Sequence, residues 1–98
     1  MDYTKIYNQI TERAQTQKIE GYVEKHHIIP RCMGGIDDKD NLVRLTSREH
    51  FLCHMLLVEI YPQEYKLKYA LFLMSINKNK KENTKYKTSG GFIWKYIN

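Results

Sequence analysis

The sequence has few of the residues that cross-link or interrupt small domains. Its 98 residues include two cysteines, two prolines and five glycines. The cysteines, Cys32 and Cys53, form no CxxC pair, which excludes a zinc ribbon or treble-clef site with four cysteine ligands. Two cysteines do not make a disulfide framework either, so we expect a reduced, intracellular setting.

Long apolar runs are also missing. The longest, residues 51–60, is interrupted by His54 and Glu59 and is too short to span a bilayer. The N-terminus is polar and amphipathic, unlike a signal peptide. We therefore expect a soluble protein with no membrane partner.

Acidic residues are outnumbered, with 11 Asp and Glu against 16 Lys and Arg, which gives a formal net charge of +5. A basic small domain suggests a polyanionic partner, usually nucleic acid, although a generic basic surface explains the charge equally well. The 42% of hydrophobic residues argues against wholesale disorder. The length fits one domain, residues 1–98, whose limited core a bound metal could stabilise further.

The hydrophobic pattern predicts a helix, a two-stranded hairpin and further helices. Apolar residues at helical spacing indicate an amphipathic helix over 2–18. Aromatic and β-branched residues predict a strand over 22–29, and Pro30 ends it. A loop with turn chemistry, including Gly34-Gly35, is predicted over 30–40, and a second strand, expected to be antiparallel to the first, over 42–45.

The second half of the chain is predicted to be helical and then basic. Thr46 to Glu49 match a capping box, so the central buried helix begins there and runs to about Tyr61. Pro62 is placed as the first residue of a helix over 62–77. The extension 78–98 begins with a lysine-rich segment, 78–87, interpreted as a solvated link or a DNA-contacting arm. Its aromatic tail is expected to dock as a short helix.

Four histidines suggest a metal centre. His50 and His54 stand at i and i+4 on the central helix, so both can bind one ion. Successive residues of a strand face opposite sides, so only one of His26 and His27 can face that ion directly. A metal that polarises a phosphodiester, beside an unliganded histidine that takes a proton from water, is an arrangement suited to hydrolysis.

The pattern HHIIP…GG…NL…L…EH…H resembles the HNH endonuclease motif, as found in small bacteriophage proteins that include homing endonucleases. The resemblance covers residues 22–58. The intervals of 14, nine and four residues between His27, Asn41, His50 and His54 are similar to those of the colicin-type DNases. The resemblance implies an α+β fold: a ββα-metal core with flanking helices and no CxxC zinc ribbon.

The resemblance also implies roles for individual residues. His27 corresponds to the general base, Asn41 to the asparagine that ties the loop together and orients the base, and Glu24 to a glutamate that supports the base and its phosphate-binding arginine. The implied ligands of one divalent metal are His26, His50 and His54. Magnesium or manganese is expected for activity, whereas zinc or nickel suits a three-histidine set better, so the working metal is left open.

Double-stranded DNA is the expected substrate, cut by hydrolysis of its phosphodiester bonds. The candidate nucleic-acid contacts are Arg31, Arg44, Arg48, Lys78, Lys80 and Lys81. The alternatives are a non-catalytic DNA- or partner-binding module of this fold, a ribonuclease, and a purely structural zinc site. A homodimer or a protein partner that supplies specificity is also open, and Cys32 is a weaker candidate for a fourth ligand.

Overall fold

The structure, a computed structural model, describes residues 1–76 and has the predicted α+β architecture. Three helices, α1 (Tyr3–Thr16), α2 (Ser47–Ile60) and α3 (Tyr65–Ile76), surround one hairpin of strands β1 (Glu24–His27) and β2 (Leu42–Leu45). Two short 3-10 turns lie in the loop between the strands. No helix in this part of the chain is both long and apolar enough to cross a membrane.

The hairpin is antiparallel, as expected, with His26 opposite Val43 and His27 opposite Leu42. Strand β1 is shorter than the predicted strand over 22–29. Its ladder ends at His27, and beyond it the amide of Ile28 donates to the carbonyl of Asn41, a residue of the loop's second 3-10 turn. The chain beyond His27 is thus held by the loop and not by strand β2.

Helix α2 is the central element, as predicted, and it packs against both α1 and α3. Its start is a complete capping box, in which the Thr46 side chain accepts from the Glu49 amide and the Glu49 carboxylate accepts from the Thr46 amide. Its apolar side chains join those of the hairpin and both flanking helices in one core. The buried apolar residues are Tyr7, Val43, Leu45, Phe51, Cys53, Leu56, Leu57, Val58, Leu67 and Leu71.

The predicted start of the last helix is wrong. Pro62 is not its first residue, because helix α3 begins at Tyr65. The amide of Glu64 donates to the carbonyl of Tyr61 at 3.1 Å, which closes a turn with Pro62 at its second position. Pro62 therefore reverses the chain so that α3 can pack back on α2. The lysine-rich segment 78–87 and the aromatic tail lie outside the described residues.

Candidate metal centre

Three of the four histidines converge at the junction of strand β1 and helix α2. His26, His50 and His54 each offer one ring nitrogen, and these nitrogens all lie within 4.8 Å of one another. The ring centroids are 5.2 Å apart from His26 to each helical histidine and 4.9 Å apart between those two. The convergence requires both the i, i+4 spacing on α2 and the alternation of side chains along β1.

The strand separates the adjacent histidines as its pleat predicts. His26 is buried, with 2% of its surface exposed, whereas the side chain of His27 retains 26%. His27 is not a member of the three-histidine group. The hairpin therefore supplies one inward ring and one accessible ring at neighbouring positions.

Glu24 contacts one ring nitrogen of His50. The Glu24 Oε1 atom lies 2.8 Å from His50 Nδ1, and Tyr22 donates its hydroxyl to the other carboxylate oxygen at 2.9 Å. Because a carboxylate accepts, His50 carries its hydrogen on Nδ1 and keeps a lone pair on Nε2. Sequence comparison suggested that Glu24 would support His27, but the structure gives it this contact with a member of the trio.

His26 and His54 each have a buried Nδ1 atom with no hydrogen-bond partner in the part of the chain that the structure describes. Burial, followed by the neighbouring His54, His50 and His27, lowers the pKa of His26 to about 2. Burial and His50 similarly lower the pKa of His54 to about 3. Neutral imidazoles with unused lone pairs fit a divalent cation of the zinc or nickel type.

Tyr7 is a contact of the trio that sequence reasoning missed. Its hydroxyl oxygen lies 2.7 Å from His26 Nε2 and also 2.7 Å from the carbonyl oxygen of Ile28, to which it donates. Burial raises the pKa of the Tyr7 phenol well above its ordinary value, so the hydroxyl keeps its hydrogen. Tyr7 was predicted only as part of the apolar face of the first helix, and no local signal marks its partner.

His27 contacts a second carboxylate. Its Nε2 atom lies 2.7 Å from Asp37 Oδ1, in the loop between the strands. Arg31 also binds Asp37, with its Nε atom 3.2 Å from the same oxygen and a terminal nitrogen on the other oxygen. The hydrogen bonds from Arg31 and His27 hold the pKa of Asp37 below its usual range. Asp37 was predicted only as part of a turn.

Asn41 ties the loop together, as the resemblance implied. Its side-chain oxygen accepts from the Ile29 amide at 2.8 Å, and its side-chain nitrogen donates to the carbonyls of Ile29, at 3.1 Å, and Ile36, at 2.9 Å. Each of these partners is main chain, so Asn41 acts on the path of the chain just beyond His27. Asn41 therefore influences the position of the His27 ring only through the backbone.

A cavity of about 290 Å³ opens beside the trio, and all four histidines line it. Three cationic side chains share its wall: Lys25 from strand β1, Arg31 from the loop and Lys66 from helix α3. Lys25 and Lys66 were not among the predicted nucleic-acid contacts. Because α3 follows the motif and packs on α2, only the fold brings Lys66 to the histidines.

The other candidate residues have simpler surroundings. Arg44 on β2 and Arg48 in the first turn of α2 are exposed, and Lys78, Lys80 and Lys81 lie beyond the described residues. Cys32 is exposed and lines the cavity, but it is not part of the three-histidine group. Cys53 is buried in the core, and burial raises the pKa of its thiol to about 12.

Three histidines are in position to share an ion, and several known proteins are similar in sequence to the chain that carries them. The chain is similar to probable mobile endonucleases of a bacteriophage. Probable mobile endonuclease E of Enterobacteria phage T4 is 52% identical over 83 residues, which cover 84% of this chain and 58% of the relative. Probable mobile endonuclease D of the same phage is 49% identical over 75 residues, covering 71% of this chain and 29% of the relative.

A third relative, probable mobile endonuclease B of phage T4, is 52% identical over 66 residues, covering 62% of this chain and 25% of the relative. The chain therefore spans 58% of mobile endonuclease E and less than a third of mobile endonucleases D and B. No family model matches the chain. No solved structure matches it either.

Proposed function

We propose that this chain is a metal-dependent endonuclease of the HNH class that hydrolyses phosphodiester bonds in DNA. The observation that carries the proposal is the convergence of three histidine nitrogens within 4.8 Å of one another, beside an accessible fourth histidine. The names of the phage T4 relatives agree with this chemistry. A set of neutral imidazoles next to cationic side chains suits an anionic substrate.

His26, His50 and His54 would hold the ion. The chemistry that such an ion supplies when bound is polarisation of the phosphodiester and stabilisation of the leaving 3′ oxygen. The three-nitrogen donor set favours zinc or nickel in affinity, and we expect magnesium or manganese to support turnover as well. Glu24 orients His50 and keeps its hydrogen on Nδ1, as partners in the outer shell of metal sites do.

His27 acts as the general base. With its Nε2 hydrogen donated to Asp37, the Nδ1 atom keeps a lone pair that can accept a proton from water. The oxygen of that water attacks phosphorus, the bond to the 3′ oxygen breaks, and the leaving 3′ oxygen takes a proton from solvent, so the products carry 5′-phosphate and 3′-hydroxyl ends. Asp37 holds the ring in place during the proton transfer, since Arg31 restrains the carboxylate in turn.

The cationic residues of the cavity bind the substrate backbone. Lys25, Arg31 and Lys66 share the wall with the histidines, so a phosphate beside the trio meets positive charge from three different elements. These side chains contact phosphate, which sets affinity and register and does not select a sequence. We therefore expect cleavage to be sensitive to salt.

A plasmid-cleavage assay with added Mg²⁺, Mn²⁺, Ni²⁺ or Zn²⁺ tests the proposal. Wild-type protein should nick or linearise supercoiled DNA, and EDTA should stop it. His27→Ala should lower the rate by about 10²-fold or more, the range that a positioned base contributes. The same variant should bind the metal as wild type does by calorimetry, because His27 lies outside the trio.

Gln9→Ala, an exposed change on α1, is the control and should cut like wild type. Full activity of His27→Ala would show that the base is another group. Parallel reactions on duplex DNA, single-stranded DNA and RNA identify the polymer, and preferential cutting of RNA would make the protein a ribonuclease. Tight metal binding without cleavage of any of these substrates would indicate a non-catalytic module or a structural site.

A further inference from the structure

Tyr7 stands outside the motif that resembles a nuclease, yet it is the only side chain of helix α1 for which the structure gives a hydrogen bond to the histidine trio. It lies 19 residues before His26 in sequence and is buried, with 5% of its surface exposed. A buried phenol needs a partner for its hydrogen, and this one has two short contacts. The pair of contacts decides which nitrogen of His26 is free.

The direction of each hydrogen bond follows from the chemistry of the partners. The Ile28 carbonyl can only accept, so the single hydrogen of the Tyr7 hydroxyl goes to it, at 2.7 Å. The phenol oxygen can then only accept from His26, 2.7 Å away, so the imidazole hydrogen resides on Nε2. The Nδ1 atom of the neutral ring is left with its lone pair.

That Nδ1 atom is buried and has no hydrogen-bond partner among the described residues. A buried acceptor left without a partner is costly, and a bound cation would satisfy it. His50 is held in the opposite way, because Glu24 takes the hydrogen of its Nδ1 atom and leaves Nε2. The two rings therefore offer different nitrogens.

From these contacts we infer that Tyr7 is a positioning residue of the metal centre, which fixes His26 as an Nδ1 ligand. This inference rests on the metal part of the proposed function and not on DNA cleavage. Helix α1 then contributes to metal affinity by holding one ligand in the required tautomer and orientation, as outer-shell partners of metal-bound histidines do.

Histidine ¹⁵N NMR of the whole chain tests the tautomer directly. In metal-free wild type, His26 should show a protonated Nε2 and an unprotonated Nδ1. Titration with Zn²⁺ should move the Nδ1 resonance of His26 to the metal-bound range, while His50 responds at Nε2. Ligation of His26 through Nε2, or no zinc bound by the trio, would overturn the inference.

Tyr7→Phe removes the hydroxyl and keeps the ring that packs in the core. Its affinity for Zn²⁺, measured by calorimetry, should fall by about 10- to 100-fold, the usual effect of losing an outer-shell partner. Tyr3→Phe, a change of the same type on the same helix, is the matched control and should bind zinc like wild type. Equal affinity of wild type and Tyr7→Phe would overturn the inference.

The outcomes separate this inference from the proposed function. A wild type that cuts DNA with bound metal while Tyr7→Phe retains full zinc affinity keeps the nuclease and removes the role of Tyr7. A wild type that binds zinc through His26 Nδ1 and cuts nothing keeps the role of Tyr7 and removes the nuclease. If Tyr7→Phe fails to fold, the tautomer measured in wild type still decides.

Discussion

Three of the four histidines are each held by a specific partner, and the partners come from different parts of the chain. Glu24 on strand β1 binds His50 on the helix, Tyr7 on α1 binds His26 on the strand, and Asp37 in the loop binds His27. An imidazole with one nitrogen engaged has one defined nitrogen for chemistry. These contacts thus select the reactive atom of three of the four rings.

Removing the Asp37 carboxylate should impair turnover more than substrate binding. We expect Asp37→Ala to lower kcat about tenfold, part of the roughly 10²- to 10⁴-fold that a positioned base contributes, with little change in KM. The reason is that His27 loses the acceptor that orients its ring. Single-turnover cleavage of an oligonucleotide duplex over a range of concentrations separates the two constants.

Asp40→Ala makes the same change three positions along the same loop and should leave both constants unaltered. A drop in kcat shared equally by the two variants would assign the effect to loop charge and not to His27. A change in KM alone would place Asp37 in substrate binding through Arg31.

The three-histidine group could be predicted from the i, i+4 spacing of His50 and His54 together with the resemblance to the HNH motif, which also drew attention to His27 and Asn41. Tyr7, Asp37 and Lys66 could not be identified from the sequence. Tyr7 lies 19 residues from His26 and Asp37 lies ten residues from His27, while Lys66 reaches the cavity only because helix α3 packs on α2. The contact of Glu24 with His50 was not predicted, for the same reason. Position on a strand predicts which way a side chain faces, but not which ring from another element it meets.

At the scale of elements, the loop between the strands is built around a close approach of its own backbone. A Cβ atom placed on Gly35 would lie 1.7 Å from the Ile29 carbonyl oxygen and 3.0 Å from Asn41 Nδ2. Gly34 beside it has a φ of +95° and open space around it. The two glycines are therefore required for different reasons, one for contact and the other for conformation.

Gly35→Ala should destabilise the protein by about 3 kcal/mol or more, at the upper end of the cost of overpacking, because backbone atoms cannot move aside. Gly34→Ala should cost about 1–2 kcal/mol, the penalty of a left-handed conformation without glycine. Urea unfolding at neutral pH measures both. A larger loss for Gly34→Ala would mean that the loop relaxes around the added methyl group and that the contact at Gly35 is loose.

Elements with a local start signal were predicted more accurately than those without one. The capping box at Thr46 placed the start of helix α2 correctly, because both of its hydrogen bonds are made within four residues. The predicted start of helix α3 at Pro62 was too early, because proline suits both the first turn of a helix and a β-turn. Only the packing of α3 against α2 selects the β-turn.

At the scale of the whole molecule, the buried histidines link stability to pH. The pKa of His26 is lowered to about 2 and that of His54 to about 3, chiefly by burial, whereas the unfolded chain binds these protons near pH 6.5. Below that pH the unfolded state holds more protons than the folded state. Acidification therefore favours unfolding of the metal-free protein.

Urea unfolding in EDTA between pH 7.5 and pH 5 should show this loss. The free energy of unfolding should be nearly constant above pH 7 and then fall, approaching about 1.4 kcal/mol per pH unit for each of the two histidines. His54→Gln, which removes one of the two rings, should show about half that slope. A flat profile from pH 6.5 to 5 would mean that the rings accept protons in the folded state.

The Tyr7 hydroxyl joins the first helix to the His26 ring on strand β1 and to the Ile28 carbonyl just beyond the strand. A fragment excised at the motif boundaries, residues 22–58, would contain all four histidines and still lack this clamp. Grafting the motif alone onto another scaffold would transfer the ligands without the contact that restrains His26. The structural unit of the candidate metal centre is thus longer than the pattern by which it is recognised.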